Sequence, residues 1–359
     1  MTSRTRADDD RLVGSVARLC ARATEPLDLL RRVAALVRGH VPYDAAGWIL
    51  VDPDTMLLNA VHEEGVPREA HLALLELELS GEDLNRFVDL ARDGVAAASL
   101  AAATGGRLDR SVRWRTVYEP HGFGDELRGV FCSGGVCWGH VCLTRTADAP
   151  WFTPREVGLL SRLAPHVAHG IRSGLLLDEA WLEPGREPPG VVVLDDDGRV
   201  VSTTARALDW LGPVHDDRLE RSVVVHEVAV HARAMAAGDR EGPPPLARVR
   251  AASGEWLLVR GSRLDGRGQT AVLVEPARRS DVAPLLLHLH ELTPRERQVA
   301  QHLLSGRSTA DIAADLWITQ ETLRGHVKSV FAKLGVSSRP ELFARLAHEA
   351  VARSAGTEG

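Results

Sequence analysis

Apolar and polar positions along the chain change period several times, and each change marks an element or a boundary. Residues 1–10 are polar and predict a disordered tail. From 11 to 38 the apolar positions Leu12, Val16, Leu19, Leu27, Leu30, Val33 and Val37 recur at helical spacing, broken by Pro26, which predicts two amphipathic helices. An apolar run at 45–51 (AAGWILV), a turn at Asp52-Pro53-Asp54 and a second run at 56–61 predict a hairpin. Residues 68–90 read as helical, and the Ala/Gly-rich stretch that follows has no clear period. Runs at 126–131 and 136–144, joined through Ser133-Gly134-Gly135, predict a second hairpin. Thr153-Pro154-Arg155-Glu156 then has the form of a helix start, with Thr as N-cap, Pro in the first turn and Glu reaching back. Its stripe continues through Leu160, Leu163, Val167 and Ile171, with a kink expected at Pro165.

A Pro-rich linker at 184–189 (PGREPP) separates this pattern from the next. Strands are predicted at 191–194 and 199–202 around the turn Asp195-Asp196-Asp197-Gly198, then helical residues to Leu211 and a helix over 223–237. Three further strands follow at 246–251, 256–260 and 270–274. Two strands, helices and three strands describe a small α+β domain with an antiparallel sheet. Beyond it, Leu292-Thr293-Pro294-Arg295-Glu296 repeats the capping box, and Val299, Leu303 and Leu304 stripe a helix that Gly306 can close. Ser308-Thr309-Ala310-Asp311 starts a short helix through Ile312, Ala313 and Leu316. Thr319 can cap a third, striped by Leu323, Val327, Val330 and Leu334 and closed by Gly335; Ser338 can cap a fourth, with Glu341 at its third position. Four capped helices in about 60 residues, the second and third joined by a few residues, make a helix-turn-helix.

Composition narrows the function. The chain has 359 residues, 44% hydrophobic and 26% charged, which excludes wholesale disorder and a disulfide mini-scaffold, and its length calls for more than one domain. A net charge of −6 gives the whole chain no attraction for nucleic acid, so any polyanion must meet a local patch. Such a patch exists: between Thr319 and Arg339 the cations Arg324, Lys328, Lys333 and Arg339 face one anion, Glu321, for 4 − 1 = +3. Of 43 Lys and Arg residues only two are lysines, Lys328 and Lys333, and both fall here. The start MTSRTRADDDR lacks an apolar signal core, the uncharged run at 94–106 is too short to span a bilayer, and the expected location is the cytoplasm, with reduced cysteines and no membrane contact.

Other signals carry less chemistry. The histidines of His226-Glu227-Val228-Ala229-Val230-His231 are five apart, so they do not share the helical face a zinc protease needs. His288 and His290 read as packing or linker residues. Cys132, Cys137 and Cys142 read as small buried residues, with redox or metal sensing as the alternative. The three aspartates 195–197 lack the later Asp and Lys of a phospho-receiver. No catalytic constellation, metal site or cofactor site is expected.

The segment LTPRERQVAQHLLSGRSTADIAADLWITQETLRGHVKSVFAKLGVSSRPEL is similar to the LuxR-type DNA-binding domain. It matches through LTPRE, the Gly306 stop, the Ile312-Ala313 pair, Thr322, His326 and Lys333-Leu334-Gly335. The resemblance covers about a sixth of the chain. It implies a transcriptional regulator whose third helix enters the major groove while the second crosses the backbone. Arg324 and Lys328 are then the base-edge residues, and Ser308, Thr319, Gln320, Thr322 and Lys333 mostly meet phosphates. Gly325 departs from the family, which often has a base-touching side chain there. The fourth helix resembles the family's dimer-forming helix, with Leu342 and Leu346 as pairing residues. The first 175 residues resemble a GAF domain, and element order with the DDDGRVV turn resembles a PAS domain. Trp114 and Tyr118 have the WxxxY spacing of autoinducer-binding LuxR domains, but the following aspartate is displaced.

The expected fold is therefore multidomain: an α+β GAF-like sensor or dimerisation domain at 11–178, a linker at 179–190, an α+β PAS-like domain at 191–277, a linker at 278–290, an all-α four-helix LuxR-type domain at 291–353 and a tail at 354–359. The expected partners are double-stranded DNA and a second copy of the chain, with RNA polymerase and an unidentified small-molecule effector left open. The competing reading is a ligand- or redox-sensing interaction protein whose helical domain binds a protein partner instead of DNA.

Overall fold

The structure, a computed structural model, describes residues 6–22, 24–81, 83–176, 188–212, 214, 222–238, 244–251, 253–264 and 268–346. The chain forms two compact units, 1–276 and 277–359.

The first unit opens with α1 (Arg6–Cys20) and α2 (Pro26–Arg38), followed by the hairpin β1 (Ala45–Val51) and β2 (Leu58–Glu64). Helix α1 starts at Arg6, inside the stretch expected to be disordered. Asp9 accounts for this: it is buried and accepts a hydrogen bond from Arg155 Nε at 2.9 Å, so the polar start is anchored. The helix expected over 68–90 is two helices, α3 (Ala70–Ser80) and α4 (Phe87–Asp93), because Gly81 at φ 84° ends the first. The stretch without a clear period holds β3 (Ala97–Ser99) and α5 (Leu100–Thr104). Next come β4 (Phe123–Ser133), β5 (Val136–Thr146) and α6 (Pro154–Leu175). Thr153 and Glu156 form the expected capping box, and α6 runs on through Pro165.

These strands make one antiparallel sheet in the order β2-β1-β5-β4-β3, with α6 packed on it and α1 and α2 against α6. Gly170 is what allows that approach: a Cβ there would stand 2.7 Å from Leu29 Cδ2 and 2.9 Å from Cys20 Cβ. A buried ionic network fixes the connection from α3 to α4 against β4. Glu126 accepts from Arg113 Nη2 at 2.7 Å, Arg128 Nε at 2.8 Å and the Tyr118 hydroxyl at 2.6 Å. Arg113 also pairs with Asp83 at 3.3 Å, and Arg128 with Glu78 at 2.6 Å. Burial pushes the Glu126 carboxyl up, but Arg113 and Arg128 outweigh it and hold it at about 2.

The second sheet, in the order β7-β6-β10-β9-β8, is antiparallel as well. It is built from β6 (Gly190–Leu194), β7 (Val200–Thr203), β8 (Leu246–Arg250), β9 (Trp256–Leu264) and β10 (Gln269–Pro276), with α7 (Ala205–Leu211) and α8 (Val223–Ala236). Both sheets belong to one unit because α8 serves both. It packs on β9, while Val223 and Val230 join Ile49, Val61, Leu75 and Phe87 in a shared apolar cluster. Asp52 locks the junction. Its carboxylate is fully buried and accepts from the Arg248 amide at 2.9 Å, Arg248 Nη1 at 3.0 Å and the Asp54 amide at 2.9 Å.

The second unit is helical: α9 (Arg279–Leu289), α10 (Pro294–Leu304), α11 (Thr309–Asp315), α12 (Gln320–Leu334) and α13 (Arg339–Leu346). The 278–290 segment, read as a linker, carries α9, whose Val282, Leu285, Leu286 and Leu289 are buried. Helix α9 lies against α10 and α13.

Removing one partner of a buried pair strands the other charge, so Arg248→Ala should destabilise the first unit by about 3–5 kcal/mol. Urea unfolding of the full chain checks this; a loss near zero would show that Asp52 does not lock the sheets.

Candidate nucleic-acid interface

Three short helices need their exposed ends satisfied before they can hold a shape, and the sequence supplies a cap for each. Thr293 and Glu296 exchange hydrogen bonds at the start of α10, with the Thr293 amide donating to Glu296 Oε2 at 2.7 Å. Ser308 Oγ accepts from the Asp311 amide at 3.1 Å before α11, and Thr319 Oγ1 accepts from the Thr322 amide at 3.1 Å before α12. Val299, Ala300, Leu303, Ile312, Leu323, Val330 and Leu334 close the core between them. Gly335 ends α12 in the left-handed conformation at φ 61°.

Burying one stripe of α12 turns the opposite stripe outward. Gln320, Thr322, Arg324, Gly325 and Lys328 are exposed along it, and Ser308 and Thr319 are exposed at the starts of α11 and α12. A groove of about 490 Å³ is lined by Thr309, Gln320, Arg324, Val327, Lys328 and Phe331, among others. Arg324 and Lys328 have no intramolecular polar partner among the described residues. Their donors therefore point to water, ready for acceptors such as guanine O6 and N7 or phosphate oxygens.

Lys333 and Arg339 do other work. Lys333 Nζ donates to Glu296 Oε2 at 2.7 Å and to the Glu291 carbonyl at 3.1 Å, and Arg339 Nη2 donates to the Leu303 carbonyl at 2.8 Å. Two of the four local cations thus hold helices together, and Arg324 and Lys328 carry the outward charge. Glu296 also accepts from Ser329 Oγ at 2.5 Å, so one carboxylate ties α10 to two turns of α12. Burial pushes Glu296 up, yet the Lys333, Ser329 and Thr293 donors hold it at about 2.

Leu342 and Leu346 are fully buried in α13, which packs on α9 and α10. Their side chains serve the interior of this unit, and the exposed positions of α13 are Pro340, Glu341, Ala344 and Arg345. Trp317 was not singled out by pattern. It stands between α11 and α12, 93% exposed, at φ 54°. A bulky residue in the left-handed region beside a helix-turn-helix turn is unusual, but a sequence shows neither its backbone angle nor its exposure. Tyr118 is a buried donor to Glu126, and His231 is buried in α8. Among the described residues no helix is long and apolar enough to cross a membrane.

Comparison with known proteins matches residues 290–346 to the family described as "Bacterial regulatory proteins, luxR family". The spore germination protein GerE of Bacillus subtilis is 38% identical over 55 residues, which are 15% of this chain and 74% of GerE. The transcriptional regulatory protein UhpA of Escherichia coli is 44% identical over 55 residues, 15% of this chain and 28% of UhpA. A helix-turn-helix relative from Aeromonas salmonicida is 52% identical over 52 residues, 14% of this chain and 26% of its own length. Except for GerE, the chain thus matches about a quarter of each of these relatives. The GAF domain of the Acinetobacter phosphoenolpyruvate-protein phosphotransferase is similar over 49% of this chain and 99% of its own, at 14% identity and a TM-score of 0.35.

Two outcomes test how this surface is held. Glu296 titrates at about 2 in the fold, against roughly 4.3 in an unfolded chain. Its contribution is whole above about pH 4.5 and disappears as pH falls towards about 2. Glu296→Gln should weaken amide-exchange protection of α12 at neutral pH, and the gap from the parent chain should narrow on acidification; a constant gap would refute the ionic tie. At Gly325 a Cβ would meet nothing within 4 Å, so Gly325→Ala should stabilise α12 by about 0.5–1 kcal/mol. Slower exchange along α12 is the expected readout.

Proposed function

This chain belongs to the luxR family of bacterial regulatory proteins, and we propose that it is a sequence-specific DNA-binding transcriptional regulator that works as a homodimer. One observation carries the reading: Arg324 and Lys328 stand exposed and unpaired among the described residues on the outer face of α12, while the remaining cations nearby are spent on internal contacts. In an acidic chain, two uncommitted long donors on one capped helix suit a major groove, where guanine offers paired acceptors. Ser308, Thr319, Gln320 and Thr322 flank them and supply hydroxyl and amide donors to the phosphates. Gly325 contributes no side chain, so base reading rests on few positions. The 1–276 unit is the sensor and pairing platform in this reading, its first part GAF-like and its second PAS-like. With Leu342 and Leu346 committed to the interior, a second copy meets the exposed side of α13 or the first unit. No catalytic role is assigned.

Genomic fragments captured by the purified chain supply the cognate site, and fluorescence anisotropy on that site and on random DNA supplies the test. Arg324→Ala should cost about 1–3 kcal/mol on the cognate site and relax preference at one base pair. Lys333→Ala, by contrast, should act through stability, leaving the preference between sequences as it was. Equal losses on both DNAs for Arg324→Ala would remove its base-reading role, and absence of salt-dependent DNA binding by the parent chain would favour a protein partner for the helical unit.

A further inference from the structure

The first unit contains a pair of cysteines placed by strand register. Gly134 and Gly135, at φ 62° and 75°, form the two-residue turn between β4 and β5, with Ser133 opposite Val136 and Cys132 opposite Cys137. In such a hairpin the residues flanking the turn form a hydrogen-bonded pair, so the next pair is the non-hydrogen-bonded kind, with Cα atoms about 4.5 Å apart and side chains close. A disulfide spans Cα separations of about 4.4–6.8 Å. Both side chains lie on one face of the sheet, in the apolar cluster that includes Val130, Val223 and Val230. Cys137 is buried and Cys132 half-buried beside an exposed turn, so Cys132 is the more accessible of the pair.

We propose that Cys132 and Cys137 are a reversible dithiol–disulfide site oxidised by hydroperoxides. Cys132, the accessible sulfur, attacks the terminal peroxide oxygen; the O–O bond breaks, an alcohol or water leaves with the proton lost by the thiol, and Cys132 becomes a sulfenic acid. The Cys137 sulfur then attacks the Cys132 sulfur, the S–S bond forms, the S–O bond breaks, and water departs with the Cys137 proton. Two electrons pass from the thiols to the peroxide, and a small dithiol returns them. Burial divides the labour: Cys132 is half-buried, whereas Cys137 is buried, and its thiol, which donates to the Gly139 carbonyl at 3.3 Å, is held above its ordinary range. Burial also raises Cys142 to about 11 and Cys20 to about 12, which keeps both as inert thiols. The bond forms beside Val223 and Val230 of α8, in the layer where the two sheets meet, so oxidation acts on the junction of the unit.

The test uses the full chain carrying Cys142→Ser, since trypsin leaves Cys132, Cys137 and Cys142 on one peptide between Arg128 and Arg145. After a small molar excess of hydrogen peroxide, that peptide should become lighter by two hydrogens, resist alkylation and recover both properties with dithiothreitol. Cys137→Ala should abolish the mass loss and let dimedone trap the sulfenic acid on Cys132, while Cys132→Ala should leave Cys137 alkylatable after peroxide. Circular dichroism of each variant comes first; if Cys137→Ala fails to fold, Cys132→Ala at the half-buried position decides the matter. Both cysteines still alkylatable after peroxide, oxygen gained without loss of hydrogens in the peptide, or a bond joining two chains would overturn the proposal.

Discussion

The outward face of α12 depends on one carboxylate. Glu296 closes the capping box of α10 with one oxygen, receives Lys333 on the same oxygen and takes Ser329 on the other, so it spends its acceptors on the helix that carries Arg324 and Lys328. Without it, α10 and α12 would meet through aliphatic contact alone, which resists separation but poorly resists rotation. A charge-assisted contact has direction, and direction fixes which side of α12 faces outward. The arrangement also explains why cation counting overstates this surface: Lys333 lies within the basic stretch and is exposed, yet its ammonium is already paired with Glu296 and the Glu291 carbonyl.

How much of this was legible follows from the range of each interaction. Caps act over three residues, so Thr153, Thr293, Ser308 and Thr319 could be read as helix starts, and each does its work with the expected partner. The apolar stripe of α12 likewise predicts which side is buried, and with it the exposure of Gln320, Arg324 and Lys328. Hairpins written around Asp52-Pro53-Asp54 and Gly134-Gly135 were readable from their turns. Long-range pairing was not. Alternating Glu126 and Arg128 on β4 have the pattern of a solvated strand face, yet both are buried, because Arg113, Glu78 and Tyr118 arrive from distant segments to satisfy them. Asp9 was likewise assigned to a polar tail, since its partner Arg155 lies 146 residues away.

The first unit shows a similar contrast in its architecture. A Pro-rich stretch and a restarted pattern suggest two independent modules, yet the sheets share α8, and Asp52 of one turn is satisfied by Arg248 of the other sheet. The apolar seam and the buried ion pair complement one another: the first supplies adhesion without register, and the second supplies register at a cost in desolvation. A perturbation in either sheet is felt at this common layer, which is where Cys137 lies as well.

The helical unit, by comparison, is nearly self-contained. Its caps are local, and its ionic tie joins residues 37 apart. A segment whose contacts close within itself folds quickly, because little loop entropy must be lost before they form. Such local closure offers a physical reason why the similarity to GerE, UhpA and the Aeromonas relative falls within a segment of 52–55 residues.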